Sequence, residues 1–217
     1  MIKLMIWDLD GTLRETASGK TFIDSPDDQK PKTGALEAIA YYHSKGFICV
    51  GATNQGGCAA IDPATGKPRK SIANMIEEQT HTLSLFPQLQ SIYACSDFNG
   101  NECWQITKHS STEIHKSWGG KWIGEYRKPG AGMIHAAVLK PGVGIVHAAA
   151  LMNDDFCIDD IEAIWMIGDR PEDKGSAEAA GINFMWADIV RNRFIPGIHE
   201  QDLRGIEPDT LLRFLAI

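Results

Sequence analysis

The chain has 217 residues, of which 43% are hydrophobic and 23% charged, so it can bury a full core and disorder is excluded as its main state. Its formal net charge of −7 argues against a broad basic track for extended nucleic acid, while leaving a local basic pocket open. No uninterrupted apolar run approaches the roughly 18 residues of a bilayer helix, and the longest, residues 142–152, contains His147, so a membrane is not expected as a partner.

The first apolar run, residues 2–7, ends at Asp8. Asp8 and Asp10 arrive too early for the long apolar segment of a secretion signal, so a cytoplasmic location is expected. Five cysteines at irregular spacing, Cys49, Cys58, Cys95, Cys103 and Cys157, then read as reduced thiols. A helix is expected over 33–45, with Leu36, Ile39, Ala40 and one of Tyr41 or Tyr42 at apolar positions and Gly46 as the stop. The next run, 47–52, leads into Thr53-Asn54. Ser71 caps a second helix over 71–86, with Ile72, Met75, Ile76, Leu83 and Phe86 at broadly helical spacing.

A strand at 91–95 precedes an insertion at about 97–127 that is rich in Gly, Ser and Trp and has no clear period. A helix at about 131–139 and a second interruption at 140–160 lead to the apolar run 163–168, which ends at Asp169. Helices at 172–180 and 209–215 flank a last strand at 182–186. The apolar runs lack alternation, as strands buried on both faces do. Alternating strands and helices predict one domain over 1–217, an α/β fold with an open, parallel Rossmann-like sheet and helices on both faces. In such a sheet ligands bind outside the carboxyl ends of the strands, where Asp8, Thr53 and Asp169 fall.

Asp8 and Asp10, in Asp8-Leu9-Asp10-Gly11-Thr12, suit a two-step phosphoryl transfer: one carboxylate attacks phosphorus, the other protonates the leaving oxygen and then activates water. A plain Asp-Gly turn is the competing reading. Two carboxylates about 4 Å apart repel by about 4 kcal/mol at an effective dielectric of 20, so a site gathering Asp8, Asp10, Asp169 and a phosphate needs cations. Mg²⁺ prefers carboxylate and phosphate oxygens, which Asp169 or Asp173 can help supply. Lys128, in Arg127-Lys128-Pro129-Gly130, is the candidate point charge, against the alternative of a solvated surface lysine.

These segments, with Thr53-Asn54-Gln55-Gly56-Gly57 and Gly168-Asp169-Arg170-Pro171-Glu172-Asp173, resemble in order the four motifs of the haloacid dehalogenase (HAD) superfamily of phosphohydrolases. The resemblance implies Asp8 as nucleophile, Asp10 as general acid/base, Thr53 on the phosphoryl group and Lys128 neutralising its charge. It also implies a Mg²⁺ ion held by Asp8, the Asp10 carbonyl and Asp169. Asp173 is either a further metal-side carboxylate or a group orienting the metal water or Lys128. The Thr-Asn-Gln and Arg-Lys-Pro forms narrow the match to the branch with a small cap or none, similar to histidinol-phosphate, heptose bisphosphate and polynucleotide 3′-phosphatase domains. Ser18-Gly19-Lys20-Thr21-Phe22 is similar to the last of these. It also mimics the end of a nucleotide-binding P-loop, but Arg14 stands where that loop needs glycine.

A small phosphorylated metabolite is therefore the expected substrate, with a 3′-phosphate terminus as the alternative and a non-catalytic phosphate-binding scaffold as the third reading, against which the retained Asp8, Asp10, Lys128 and Asp169 argue. Asn54 and Arg127 are the candidate substrate contacts, the Arg127 fork gripping a second anionic or hydroxyl-rich group unless it makes a structural ion pair instead. Substrate choice is expected to reside in 97–127. Some relatives bind zinc before the Arg-Lys-Pro motif. Here Cys95 and Cys103 with His109 and His115 offer only an irregular zinc set. Trp104, Trp118 and Trp122 either pack the insertion onto the sheet or stack on a base or sugar.

Overall fold

A computed structural model describes residues 3–117, 120–139, 163–197 and 208–217. The chain runs from β1 (Lys3–Trp7) through the short pair β2 (Arg14–Glu15) and β3 (Lys30–Pro31) to helix α1 (Ala35–Ser44) and β4 (Ile48–Asn54). Helix α2 (Ile72–Leu85), β5 (Leu89–Cys95), β6 (Cys103–Ile106), β7 (Ser111–Glu113), α3 (Ile114–Ser117) and α4 (Gly132–Leu139) follow. The remainder comprises β8 (Ala163–Gly168), α5 (Pro171–Ala180), β9 (Asn183–Trp186), α6 (Ala187–Asn192) and α7 (Pro208–Leu215).

Seven strands form one sheet in the order β7-β6-β5-β4-β1-β8-β9, while β2 and β3 pair separately. The five strands from β5 to β9 in that order are mutually parallel. Strand β1 shows why its sequence is apolar throughout: Met5 and Trp7 enter one core, Leu4 and Ile6 the other. The first core is completed by Ile39 and Tyr42 of α1, Met75 and Leu83 of α2, and Phe214 of α7. Met133 and Ala137 of α4 with Ala177 of α5 complete the second, so helices cover both faces, as expected for this fold class. Ser71 caps α2 by accepting from the Asn74 N–H at 3.1 Å. Among the described residues no helix is long and apolar enough to cross a membrane.

The insertion at 97–127 is more regular than its sequence predicts. Strand β6 adds antiparallel to β5, with Cys95 opposite Cys103 and Tyr93 opposite Gln105, and β7 adds to β6. Strands of four and three residues are too short to carry a period. The hairpin β2–β3 and helix α6 escaped the sequence reading for the same reason. The break at 140–160, with His147 and Cys157, lies outside the described residues.

Candidate active site

Three neighbouring parallel strands end at the same edge of the sheet. Trp7 of β1 is level with Gly51 of β4 and Ile167 of β8, and the Asp8 N–H continues the ladder to the Ile167 carbonyl at 2.8 Å. This register brings Asp8 and Asp169 together, with Thr53 at the end of the adjoining strand. Beyond Asp8 the chain turns at Gly11, whose φ is +93°. A Cβ there would lie 2.2 Å from Asp169 Oδ2, so a side chain is excluded by both backbone and space. Arg191 braces the turn, donating to the Gly11 and Thr12 carbonyls at 3.0 and 2.6 Å. We expect Gly11→Ala to cost about 1–3 kcal/mol and to displace Asp169. Urea unfolding checks this, and an unchanged midpoint would contradict the close approach.

Lys128 lies at the centre of the acidic cluster and is buried, contrary to the surface alternative. Its Nζ donates to Asp8 Oδ1 at 2.6 Å, Asp173 Oδ1 at 2.6 Å and the Ala52 carbonyl at 3.0 Å. Burial pushes the Asp8 carboxyl up to about 7, against the pull of Lys128 and with added repulsion from Asp173. Burial also works against the Lys128 ammonium, but Asp8 and Asp173 outweigh it and raise its pKa. Gly168 allows Asp173 this close, since a Cβ there would sit 2.3 Å from the Asp173 Cβ. The second Asp173 oxygen accepts from the Arg170 N–H at 3.0 Å.

Asp8 Oδ2 is buried and has no hydrogen-bond partner. Oxygens of Asp8, Asp169 and Asp173 lie within 4.8 Å of one another, the one such group of three or more His, Cys, Asp or Glu among the described residues. An orphaned oxygen on one of three clustered carboxylates fits a hard divalent cation. Both Asp173 oxygens already have donors, whereas among the described residues Asp169 accepts a long contact from Thr12 Oγ1 at 3.4 Å.

Asp10 stands apart from this cluster. Arg14 Nε donates to its Oδ1 at 2.9 Å and Gln55 Nε2 to its Oδ2 at 3.2 Å. Burial acts upward on the Asp10 carboxyl, yet the Arg14 charge and hydrogen bond, with Lys70 and Lys128, hold it below the ordinary carboxylate range. The same Gln55 nitrogen donates to Thr53 Oγ1 at 3.0 Å, tying the two groups together. Arg14 is fully buried, and its other nitrogens donate to Gln29 Oε1 at 2.7 Å, Glu78 Oε1 at 2.8 Å and Thr82 Oγ1. Sequence reasoning missed Arg14, Gln55 and Glu78. The available signal was the spacing of α2, where Glu78, Gln79 and Thr82 share the buried face with Met75 and Leu83.

Asn54 has partners that the sequence did not announce. Its side chain donates to the Lys128 carbonyl at 3.1 Å and accepts from the Lys128 N–H at 3.0 Å. Each polar end thus makes one bond to the Lys128 backbone, so the side chain helps to hold Lys128 in place. Arg127 Nη1 donates to the Asp97 carbonyl at 3.3 Å, and its guanidinium lies 5.2 Å from the centre of the exposed Phe98 ring, close to Gly56. The zinc set does not assemble. Cys95 Sγ contacts Asp97, the Cys103 N–H reaches His115 Nδ1 at 3.2 Å, and His109 is exposed on the β6–β7 turn. Trp104 packs on the first core and Trp122 stacks on His135 with ring centres 5.7 Å apart; Trp118 lies outside the described residues. Residues 18–22 form an exposed loop between β2 and β3.

Residues 3–184 match the model of a family described as polynucleotide kinase 3 phosphatase. No curated protein matches the chain. Among solved structures, a D,D-heptose 1.7-bisphosphate phosphatase from B. bronchiseptica, complexed with magnesium and phosphate, aligns over 100% of both chains with a TM-score of 0.56 and 18% identity. A protein from Mesorhizobium loti assigned as a HAD-like phosphatase aligns over 83% of this chain and 69% of its own, with a TM-score of 0.53 and 17% identity. At these identities the two structures establish a shared fold.

Proposed function

Since the chain belongs to the polynucleotide kinase 3 phosphatase family and is a HAD-type phosphatase, we propose that it hydrolyses phosphomonoesters through an aspartyl phosphate formed on Asp8, with Mg²⁺ as cofactor. The observation that carries this reading is the buried Asp8 carboxylate with one oxygen on Lys128 and the other unpaired, clustered with Asp169 and Asp173. An Asp8 oxygen attacks phosphorus as the P–O bond to the leaving group breaks, and Asp10, which takes up a proton from solvent once the anionic phosphate lies beside it, gives that proton to the leaving oxygen. Asp10 next takes a proton from water, which attacks phosphorus and breaks the bond to Asp8, releasing phosphate.

Thr53 Oγ, which accepts from Gln55, is free to donate its own hydrogen to a phosphoryl oxygen. Lys128 supplies fixed positive charge where negative charge collects, and Asn54 and Asp173 hold it there. Asp8, the Asp10 carbonyl and Asp169 would hold Mg²⁺, with Asp173 serving Lys128. When bound, the ion offsets the repulsion between the carboxylates and the incoming phosphate. Magnesium and phosphate in the heptose bisphosphate phosphatase of the same fold support this choice of ion.

The substrate we favour is a small phosphorylated metabolite, in line with the net charge of −7. The family match and the 18–22 segment favour a second reading, a polynucleotide 3′-phosphate. Phosphate release should be compared across sugar phosphates, nucleotides, amino-alcohol phosphates and 3′-phosphorylated oligonucleotides. Activity is expected to vanish with a chelator and return with Mg²⁺. Highest turnover on the oligonucleotide would establish the second reading, and full activity of metal-free protein would overturn the metal assignment.

A further inference from the structure

We propose that Arg14, Gln55 and Glu78 are positioning residues for proton transfer, acting through Asp10; this inference rests on the reading of Asp10 given above. Five side chains close a ring around it: Asp10 to Arg14, Arg14 to Glu78, Glu78 to Lys70, Lys70 Nζ to Gln55 Oε1 at 3.3 Å, and Gln55 back to Asp10. They come from the loop after β1, from β2, from the segment between β4 and α2, and from the buried face of α2. Two positive and two negative charges make the ring neutral, so it is self-compensating within the core.

The ring has no evident packing purpose. Apolar residues of similar volume often serve as well as a buried ion pair for stability, and the same α2 face already carries Met75 and Leu83. Side-chain exposure shows where the ring leads. It is 0% at Arg14, 3% at Glu78 and 18% at Lys70, but 43% at Asp10, which alone opens widely to the site. One Asp10 oxygen is held by the guanidinium and the other by an amide that also fixes Thr53, so the carboxylate plane is set relative to the phosphoryl group. A misplacement of about 1 Å is enough to cost about 100-fold in rate. Gln29 and Thr82 hold the far side of the guanidinium, so it cannot follow Asp10 if the carboxylate rotates.

The test uses Arg14→Lys, which keeps the charge but loses the fork, and Gln55→Leu, which changes a loop residue and remains informative if the first variant fails to fold. Each is assayed with Mg²⁺ on an alkyl phosphate, whose leaving group needs a proton, and on p-nitrophenyl phosphate, whose leaving group does not. The expected result, read in kcat/KM because this covers only the steps up to departure of the leaving group, is a loss of about 10- to 100-fold on the alkyl ester and several-fold less on the aryl ester. In an Asp10→Asn background either change should add less than about twofold, because its target is gone. Equal losses on both esters, or full additivity with Asp10→Asn, would overturn the inference alone. Absence of turnover by the wild-type protein on both esters would overturn it together with the reading on which it rests.

Discussion

Asp8→Asn should fold as well as the wild-type protein and release phosphate at least about four orders of magnitude more slowly. The fold is expected to hold because the carboxylate is costly where it sits: burial and Asp173 both disfavour its charged form. The amide keeps an oxygen for Lys128 Nζ, and Lys128 retains Asp173 and the Ala52 carbonyl. Chemistry has no such substitute, since an amide oxygen is a poor nucleophile and Asp10 is held on a separate set of partners. Circular dichroism and a phosphate-release assay check the two halves. Residual turnover above about 1% of wild type would remove Asp8 from the nucleophile role.

Lys128→Met should have the largest effect on stability, about 3–5 kcal/mol near pH 8. It leaves Asp8 and Asp173 buried side by side without their shared ammonium. Turnover should fall with it, because the charge that screens the phosphoryl group is lost. The cost depends on pH in a defined direction. The folded-state pKa of Asp8 is already raised to about 7, against about 3.9 for an unfolded aspartate, so the metal-free native state binds this proton more tightly and gains stability as pH falls from about 8 toward 4. Removing Lys128 raises that pKa further. Lys128 itself is fully protonated below its unfolded value of about 10.4, so its contribution stays constant across this window. The gap between variant and wild type should therefore narrow on acidification, as protons replace the ammonium. Urea midpoints at pH 8 and pH 5.5 in chelator measure it, and an equal gap at both would contradict the account.

Strands β1, β4 and β8 were legible in the sequence because burial on both faces produces continuous apolar runs, each with a polar group at its carboxyl end. Asp8, Thr53 and Asp169 follow from that rule and from the sheet's parallel register. Asn54 was found as a site residue, but its bonds to the Lys128 backbone were not foreseen, since that backbone lies 74 positions away and meets it only through packing. Arg14 was passed over because a buried guanidinium needs acceptors from three segments, and none of those segments announces the others. Glu78 reads locally as a break in an apolar helix face, and its partners Arg14 of β2 and Lys70 ahead of α2 explain it. Strands β6 and β7 are too short for any pattern to stand out from the loop around them.

The central claim, a phosphoryl group carried on Asp8, is most directly tested by trapping it. The Asp10→Asn variant is mixed with excess p-nitrophenyl phosphate and Mg²⁺, quenched in acid within the first turnovers, reduced with borohydride and mapped by peptide mass spectrometry. An aryl leaving group departs without help, whereas release from Asp8 needs the base that the variant lacks, so the acyl phosphate should accumulate. The account predicts homoserine at position 8 and at no other aspartate. Unmodified Asp8 alongside a measurable burst of p-nitrophenol, or reduction at Asp169 or Asp173 instead, would contradict it.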